Sequence, residues 1–140
     1  MVVTTRGKNA LKIMLDLSLH QEEGFIKLKD IAKRQEVSEK YLEQIASILH
    51  KARKIKSSRG ANGGYCLIKK PDCYTIGEII KSLEGDIAST DCTYNAESSC
   101  TNRDNCFCYP LWIKLDKAIN NVLENTTLQD LIDWKRGAAQ

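Results

Sequence analysis

Residues 37–65 read VSEKYLEQIASILHKARKIKSSRGANGGY, and this stretch decides the fold. Ser38 is well placed as the N-cap of a helix over residues 39–53, because its side chain can accept a hydrogen bond from the first turn. The apolar residues of this helix recur at a spacing of three or four: Leu42, Ile45, Ile48, Leu49 and Ala52. The polar side chains on its other faces suit a DNA recognition helix, although an ordinary amphipathic surface helix shows the same pattern.

A shorter helical pattern precedes this one, over residues 29–35, and residues 36–38 break it. Its buried side would consist of Leu28, Ile31 and Ala32. Two helices joined by a tight turn predict a helix-turn-helix. Upstream, Thr4 or Thr5 can cap a helix that runs to about His20, and residues 25–27 read as a short extended piece. The apolar positions of that first helix are Leu11, Met14, Leu15 and Leu19.

Residues 55–68 read as two short strands joined by the turn RGANGG at positions 59–64. A basic, glycine-rich hairpin directly after a helix-turn-helix is typical of a wing. Arg59 can enter a minor groove or contact phosphate, and flexible Gly60, Gly63 and Gly64 allow close approach of the backbone. Glycine-rich loops also bind nucleotide phosphates, but this one lacks the G-x-x-x-x-G-K pattern and does not lead into a helix.

The C-terminal half adds three helices. Thr75 and Glu78 form a T-x-x-E capping box for a helix that ends at Glu84, before Gly85. Pro110 fits the first turn of a long helix with an apolar stripe. This stripe contains Leu111, Trp112, Leu115, Ala118, Ile119, Val122 and Leu123. Because the earlier helices would already fill the core of the winged domain, we expect the long helix to pair with the same helix of a second copy.

A last helix would begin after Thr127, with Asp130 as its capping partner, and residues 137–140 would form a loose tail. Its apolar residues are Leu128, Leu131, Ile132 and Trp134. The predicted fold class is therefore mostly α with a small β-hairpin wing, a winged helix-turn-helix with a long C-terminal dimerisation helix. We divide the chain into a DNA-binding domain, a cysteine-rich cluster-binding loop and dimerisation helices, which cover residues 1–85, 86–109 and 110–136.

Four of the six cysteines lie within residues 91–112. Cys92, Cys100 and Cys106 are separated by seven and five residues, and Cys108 follows after one more. The Asn, Ser, Asp and Thr content of the segment predicts a loop rather than a helix or a strand. Soft thiolates select iron–sulfur clusters, zinc or Cu(I), and the wide spacing favours a cluster over zinc. Disulfides and plain buried thiols are the alternatives, and the two remaining cysteines, Cys66 and Cys73, are interpreted as spectators.

Charge is unevenly distributed along the 140 residues, which carry a net charge of +3. Residues 1–70 contain 15 Lys and Arg against 7 Asp and Glu, and residues 71–140 contain 6 against 11. A basic first half indicates contact with a polyanion. No apolar run reaches the roughly 18 residues of a membrane span, and the N-terminus lacks a secretory pattern, so we expect a cytoplasmic protein. The sequence shows no nucleophile, base and oxyanion set and no cofactor fingerprint, so we do not expect an enzyme.

Four motifs together resemble the IscR/NsrR family of winged-helix transcription regulators. They are TTRGKNAL at 4–11, VSEKYLEQI at 37–45, SSRGANGGY at 57–65, and C-x7-C-x5-C before the LW of 111–112. The resemblance covers nearly the whole chain. It implies a homodimeric bacterial regulator that binds a pseudo-palindromic double-stranded DNA operator. In members with these cysteines it also implies an iron–sulfur cluster, and we favour 2Fe-2S over 4Fe-4S.

The resemblance also implies which residues act. The three cysteine ligands of cluster-binding members correspond to Cys92, Cys100 and Cys106. Where the cluster-assembly regulators have a histidine ligand this chain has Tyr109, and where nitric-oxide sensors use a carboxylate from the partner's first helix it has Lys8. Cys108 is then the nearest substitute as fourth ligand, or a resolving thiol, since one residue of separation from the third cysteine strains joint ligation of one iron.

The expected DNA contacts lie on the recognition helix and the wing. In the major groove, Gln44 can pair with adenine and Glu43 can accept a hydrogen bond from cytosine. The complete predicted set is Ser38, Lys40, Tyr41, Glu43, Gln44, Arg59, Gly60 and Gly63.

Three functions are compatible with these features. The leading hypothesis is a repressor or dual regulator whose operator affinity changes with a cluster, so that it reports iron–sulfur status, oxygen or nitric oxide. A second is direct thiol sensing, in which Cys106 and Cys108 form a disulfide or a sulfenic acid and no cluster is present. A third is an interaction module that regulates cysteine metabolism, as in family members that bind a cysteine-synthesis enzyme.

Overall fold

The first helix, α1 (Thr5–Leu19), begins where Thr4 accepts a hydrogen bond from the Gly7 amide at 3.3 Å. This computed structural model describes residues 3–94 and 102–138. The fully buried face of α1 is not the predicted one, because it consists of Ala10, Ile13, Met14 and Leu17. Of the four predicted residues only Met14 is fully buried, and Leu19 is 52% exposed. Apolar residues occupy two adjacent stripes of α1, and the contacts of α1 with the other helices decide which stripe faces inward.

The helix-turn-helix consists of α2 (Leu28–Gln35) and α3 (Glu39–Lys51). Between them Glu36 adopts a left-handed conformation with φ 56°, which lets the chain reverse within three residues. Ser38 caps α3 as predicted, since its hydroxyl accepts a hydrogen bond from the Tyr41 amide at 3.4 Å. The predicted stripe is correct at Leu42, Ile45 and Leu49 and wrong at Ala52, which is exposed because α3 has already ended.

The wing is an antiparallel hairpin of β1 (Ile55–Ser58) and β2 (Gly64–Leu67). Ile26 joins it through two backbone hydrogen bonds of 2.8 Å with Tyr65, so the predicted extended piece lies beside the wing. Gly64 has φ 148°, and a Cβ atom there would lie 2.3 Å from the Ile26 carbonyl oxygen. The base of the wing is therefore tied to the segment that enters α2, and only glycine fits at this contact.

The next helix, α4 (Ile76–Glu84), is capped by Thr75, whose hydroxyl accepts a hydrogen bond from the Glu78 amide at 3.1 Å. The Glu78 carboxylate pairs instead with Lys54 and Lys69, so the predicted capping box forms only in its hydroxyl half. After α4 the chain forms one helical turn, α5 (Asp91–Tyr94), where the sequence predicts a loop. This prediction was wrong for α5 because hydrogen bonds to a distant helix stabilise a turn that its own composition disfavours.

Two further helices follow, α6 (Tyr109–Glu124) and α7 (Leu128–Ala138). Both halves of the predicted cap of α7 form, because Thr127 and Asp130 exchange hydrogen bonds of 2.9 and 3.1 Å. Gly137 is helical, not part of a loose tail. None of the described helices is long and apolar enough to span a membrane.

One hydrophobic core lies between α1, α2, α3, α4 and the start of α7. Leu128 of α7 is completely buried in this core, beside the buried ring of Tyr74. By contrast, α6 has no fully buried residue, and Leu111, Leu115 and Val122 leave 56%, 41% and 60% of their surface exposed. The first turn of α7 therefore completes the core of the winged domain, whereas α6 keeps an apolar face outside it.

Candidate nucleic-acid interface and cysteine site

The recognition helix α3 presents its predicted contact residues in two ways. Lys40, Glu43 and Gln44 are exposed on the side opposite the core. Tyr41 is half-buried and packs against the core, so its ring supports the helix while part of its surface stays accessible. Ser38 uses its hydroxyl as the cap of the helix.

The two glycines that the sequence predicts to contact DNA, Gly60 and Gly63, differ in their exposure at the wing tip. Arg59 and Gly60 are exposed, and nothing lies within 4 Å of a Cβ atom built on Gly60. Gly63 is buried within the turn, where a Cβ atom would lie 2.3 Å from the Ser58 carbonyl oxygen. Its amide donates to the Gly60 carbonyl at 3.0 Å. Gly63 thus has a clear role in closing the turn that presents Arg59.

Five exposed basic side chains lie on or beside the recognition helix and the wing. They are Lys40 and Lys51 of α3, Arg53 after it, and Lys56 and Arg59 of the wing. None of the five has an ion-pair partner among residues 3–94 and 102–138. Unpaired surface cations attract phosphate and displace its counterions, so the surface is suited to a nucleic-acid backbone.

A contact that the sequence does not reveal joins α3 to the wing. The His50 Nε2 atom lies 3.3 Å from the Ser57 hydroxyl, and its ring meets the ring of Tyr65 edge to face at 6.4 Å between centroids. The recognition helix and the wing are therefore connected by side-chain contacts as well as by the backbone between them. No local spacing rule predicts this contact, because it depends on how β1 folds back past the end of α3.

A second hidden contact fixes the helix-turn-helix to α1. The Asp16 carboxylate is 1% exposed and accepts two hydrogen bonds from Arg34, at 2.9 Å from Nε and 2.6 Å from the nearer terminal nitrogen. The Gln35 amide donates to it at 3.3 Å. The hydrogen bond with Asp16 raises the pKa of Arg34 above its ordinary value. This bidentate pair orients α2 beneath the recognition helix.

The structure places three of the four candidate cysteine ligands. Cys92 is half-buried on α5, Cys106 is half-buried before α6, and Cys108 is exposed at the residue that precedes α6. Cys100 lies outside the described residues. No disulfide joins two of the cysteines in residues 3–94 and 102–138. Within residues 3–94 and 102–138, no three Cys, His, Asp or Glu side chains meet as a metal site.

An opening of about 510 Å³ lies between the end of α4, α5 and α6. Cys92 forms part of its wall, together with the side chains of Arg103, Tyr109 and Asp116. The Cys92 thiol is a donor that suits a soft metal or an iron–sulfur cluster, but Cys106 and Cys108 are not among the residues that line this opening. Tyr109, at the place of the family's histidine ligand, has the Arg103 guanidinium 6.0 Å from its ring centroid.

The remaining cysteines lie elsewhere. Cys66 is half-buried on β2 of the wing, and burial raises the pKa of its thiol. Cys73 is exposed in the short turn before α4, with its sulfur 3.5 Å from an Asp72 oxygen. Neither belongs to the α5 and α6 region, which is consistent with their interpretation as spectators.

Asp116 of α6 holds the α5 segment in place. The Ser89 amide donates to its carboxylate at 2.6 Å, and the hydroxyls of Ser89 and Thr93 also lie within hydrogen-bonding reach of it. Burial alone would raise the pKa of Asp116, but these hydrogen bonds outweigh burial and hold the pKa below its usual value. The ionised carboxylate therefore links the cysteine-bearing turn to the long helix.

A helix-turn-helix with a wing and a free basic face defines a DNA-binding transcription regulator. The model of the Rrf2 family, described as an iron-dependent transcriptional regulator, matches residues 3–134. The chain is 40% identical over 137 residues to the HTH-type transcriptional regulator CymR of Bacillus subtilis (strain 168), covering 98% of this chain and 94% of CymR. The chain belongs to the Rrf2 family of transcription regulators.

Solved structures agree with this assignment. The structure of CymR, named the global cysteine regulator of B. subtilis, aligns with a TM-score of 0.79 and 38% identity, covering 96% of this chain and 98% of CymR. The T. potens IscR structure aligns with a TM-score of 0.80 and 36% identity, covering 100% of this chain and 92% of IscR. The winged-helix fold class and the family resemblance are both confirmed, and curated relatives named CymR and IscR are described as HTH-type transcriptional regulators, not as enzymes.

Proposed function

We propose that this regulator is a homodimeric repressor or dual regulator whose operator affinity is controlled by an iron–sulfur cluster. The thiols that would hold the cluster are Cys92, Cys100, Cys106 and, as fourth ligand, Cys108. The signal would be iron–sulfur status, oxygen or nitric oxide. The observation that carries the proposal is the position of Cys92, on a turn hydrogen-bonded to the same long helix that Cys106 and Cys108 lead into.

The exposed apolar side of α6 supports the dimer. Leu111, Leu115 and Val122 are large, exposed and spaced four and seven residues apart along one helix. An apolar stripe of this kind is stabilised when a second copy covers it, and two-fold symmetry then places two recognition helices on the two halves of a palindromic operator. The three segments predicted from the sequence become functional units in this proposal, with α6 as the link between dimer contact and cysteine site.

In this proposal, operator affinity is controlled through the position of α5 on α6. A bound cluster would supply a redox-active group whose stability depends on its thiolate ligands. The chain's own part is to connect Cys92 with α6, and α6 with α4 through the 2.7 Å ion pair between Lys81 and Glu124. A displacement of α6 against the winged domain would change the distance between the two recognition helices. A difference of a few kcal/mol between the operator affinities of the two states is sufficient.

Replacing Cys106 with alanine is expected to abolish cluster loading, because a thiolate ligand is lost and alanine offers no donor. The measurement is an anaerobic absorbance spectrum with iron, sulfide and zinc analysis on the same sample. Cys66→Ala is the matched control, since Cys66 is also half-buried but lies on the wing. Wild-type protein that stays colourless and iron-free after anaerobic reconstitution would refute the cluster proposal, and bound zinc would redirect it to zinc.

The sensing step has its own test. Operator affinity is measured for cluster-loaded and cluster-free wild-type protein at one salt concentration, since salt alone changes such affinities. We expect the two affinities to differ by at least about tenfold, which corresponds to about 1.4 kcal/mol of coupling. Equal affinities would contradict the sensing step while leaving the cluster itself established.

Arg59→Ala is expected to weaken operator binding by about tenfold and to reduce the salt dependence by about one phosphate contact. The reason is that Arg59 is an exposed cation at the wing tip, with no ion-pair partner in residues 3–94 or 102–138. Fluorescence anisotropy across a salt series measures both quantities. Arg136→Ala, an exposed arginine on α7, is the matched control. An Arg59→Ala protein with wild-type affinity would show that the wing tip does not touch the operator, and cluster loading should be unchanged in both variants.

Direct thiol sensing is the second candidate. It is favoured by the exposed Cys108 thiol one residue beyond the half-buried Cys106, and by the similarity to a protein named as a cysteine regulator. With hydrogen peroxide as oxidant, the two thiols would lose two hydrogens, form one S–S bond and leave two water molecules. Mass spectrometry of iron-free protein after mild peroxide treatment detects this pair, and its absence rejects the candidate.

A further inference from the structure

The contact between the α5 turn and α6 is made by two residues of α6 that lie one helical turn apart. The Ser89 amide donates to the Asp116 carboxylate at 2.6 Å, and the Ser89 hydroxyl lies 3.5 Å from the Trp112 carbonyl oxygen. The Thr93 hydroxyl, later in the same turn, donates to the Thr90 carbonyl at 3.4 Å and also lies close enough to Asp116 to favour its ionised form. Asp116 thus holds the chain before Cys92 through the Ser89 amide and has the Thr93 hydroxyl as a neighbour after it.

These hydrogen bonds are stronger than ordinary surface contacts. Asp116 is half-buried, and a carboxylate that accepts hydrogen bonds from an amide and from hydroxyls forms charge-assisted bonds. The α5 turn has only four residues, so its own backbone hydrogen bonds contribute little stability. Its position on α6 therefore depends strongly on Asp116.

We propose that Asp116 is the positioning residue that makes the Cys92 turn and α6 move as one unit, so that a change at Cys92 reaches the apolar face of α6. This inference rests on the function proposed above and names the residue that carries its coupling. Asp116 is not a cluster ligand in this proposal, and it acts only through Ser89 and Thr93.

The first test needs no cluster. In reduced, cluster-free protein, the rate at which iodoacetamide alkylates Cys92 is measured by peptide mass spectrometry. We expect Asp116→Ala to raise this rate by about tenfold, because the turn opens more often once the charge-assisted bonds are lost. Asp116→Asn should restore much of the protection, since its amide oxygen can still accept the Ser89 hydrogen. Lys117→Ala, an exposed neighbour on α6, should match the wild type.

The second test compares operator affinities. For each variant we take the ratio of the affinities of cluster-loaded and cluster-free protein. Asp116→Ala is expected to bring this ratio close to one, and Lys117→Ala is expected to keep the wild-type ratio. Thr93→Val, which removes one hydroxyl at nearly constant volume, should lower the ratio partway and serves if Asp116→Ala does not fold.

The outcomes separate the two proposals. A wild-type ratio of one would overturn the proposed function, and the transmission through Asp116 with it. A wild-type ratio far from one that Asp116→Ala leaves unchanged would overturn this inference alone. Unchanged alkylation of Cys92 in folded Asp116→Ala protein would likewise show that Asp116 does not hold the turn.

Discussion

Arg34→Ala is expected to lower the free energy of unfolding by about 3 kcal/mol, the lower end of the range for breaking a buried ion pair. The change leaves the Asp16 carboxylate, which is 1% exposed, without the guanidinium that donates two hydrogen bonds to it. The side chains of Gln35 and His20 remain at 3.3 and 3.4 Å from the carboxylate, but they replace only part of the two charge-assisted bonds that it loses. Since Arg34 itself is 36% exposed, water can enter where its side chain was, and this moderates the loss.

Urea denaturation followed by circular dichroism measures this loss. The double variant Asp16→Asn with Arg34→Ala should be more stable than Arg34→Ala alone, because it leaves no buried charge. Lys33→Ala, an exposed neighbour on α2, should change stability by less than about 0.5 kcal/mol. The interpretation fails if Arg34→Ala stays within that same margin. Operator binding should fall with stability, because the pair orients α2 beneath α3.

Tyr74→Phe is expected to destabilise the protein by about 2 to 3 kcal/mol, since several polar groups lose their partner at once. The Tyr74 hydroxyl accepts hydrogen bonds from the amides of Ile68 and Lys69, at 3.0 and 3.1 Å. It also donates to the Lys54 carbonyl at 2.7 Å. The Tyr74 hydroxyl is therefore a buried tie between the two ends of the wing hairpin, in addition to the ion pairs of Glu78 with Lys54 and Lys69.

Thermal and urea unfolding measure the effect, and Tyr65→Phe, on β2 of the wing, is the matched control. The Tyr65 ring is half-buried beside His50, and the structure gives its hydroxyl no hydrogen bond to any residue in 3–94 or 102–138. Its loss should cost less than about 0.5 kcal/mol. Equal stability of the two variants would mean that the Tyr74 hydroxyl does not hold the wing. A looser wing should also weaken operator binding in Tyr74→Phe.

The predictions that rested on residues close together in the chain were the reliable ones. The caps at Thr4, Ser38 and Thr127 formed as predicted, because a cap depends on residues three positions apart. The wing was also recognisable, since its glycines and strands are neighbours in the chain. The orientation of α1 was not, because both of its apolar stripes satisfy the same helical spacing.

Contacts between segments that are far apart in the chain could not be predicted from the sequence. Asp16 and Arg34 are 18 residues apart, and Ser89 and Asp116 are 27 apart. All four are polar types that are common at protein surfaces, and possible ion-pair or hydrogen-bond partners are so frequent that no spacing rule selects either pair. The one-turn helix at α5 was missed for the same reason, since a distant carboxylate stabilises it.

The sequence by itself determined the helical segments of α1 to α4, α6 and α7, where the wing turns, which half of the chain is basic and where the cysteines cluster. These properties arise from residues within a few positions of each other, so local hydrogen bonding and periodicity express them. Only the tertiary structure decided which face of α1 is buried, that α7 completes the core through Leu128, and that Asp116 holds the Cys92 turn on α6. Those outcomes depend on packing between segments far apart in the chain, where many pairings satisfy the same pattern and the three-dimensional arrangement selects one.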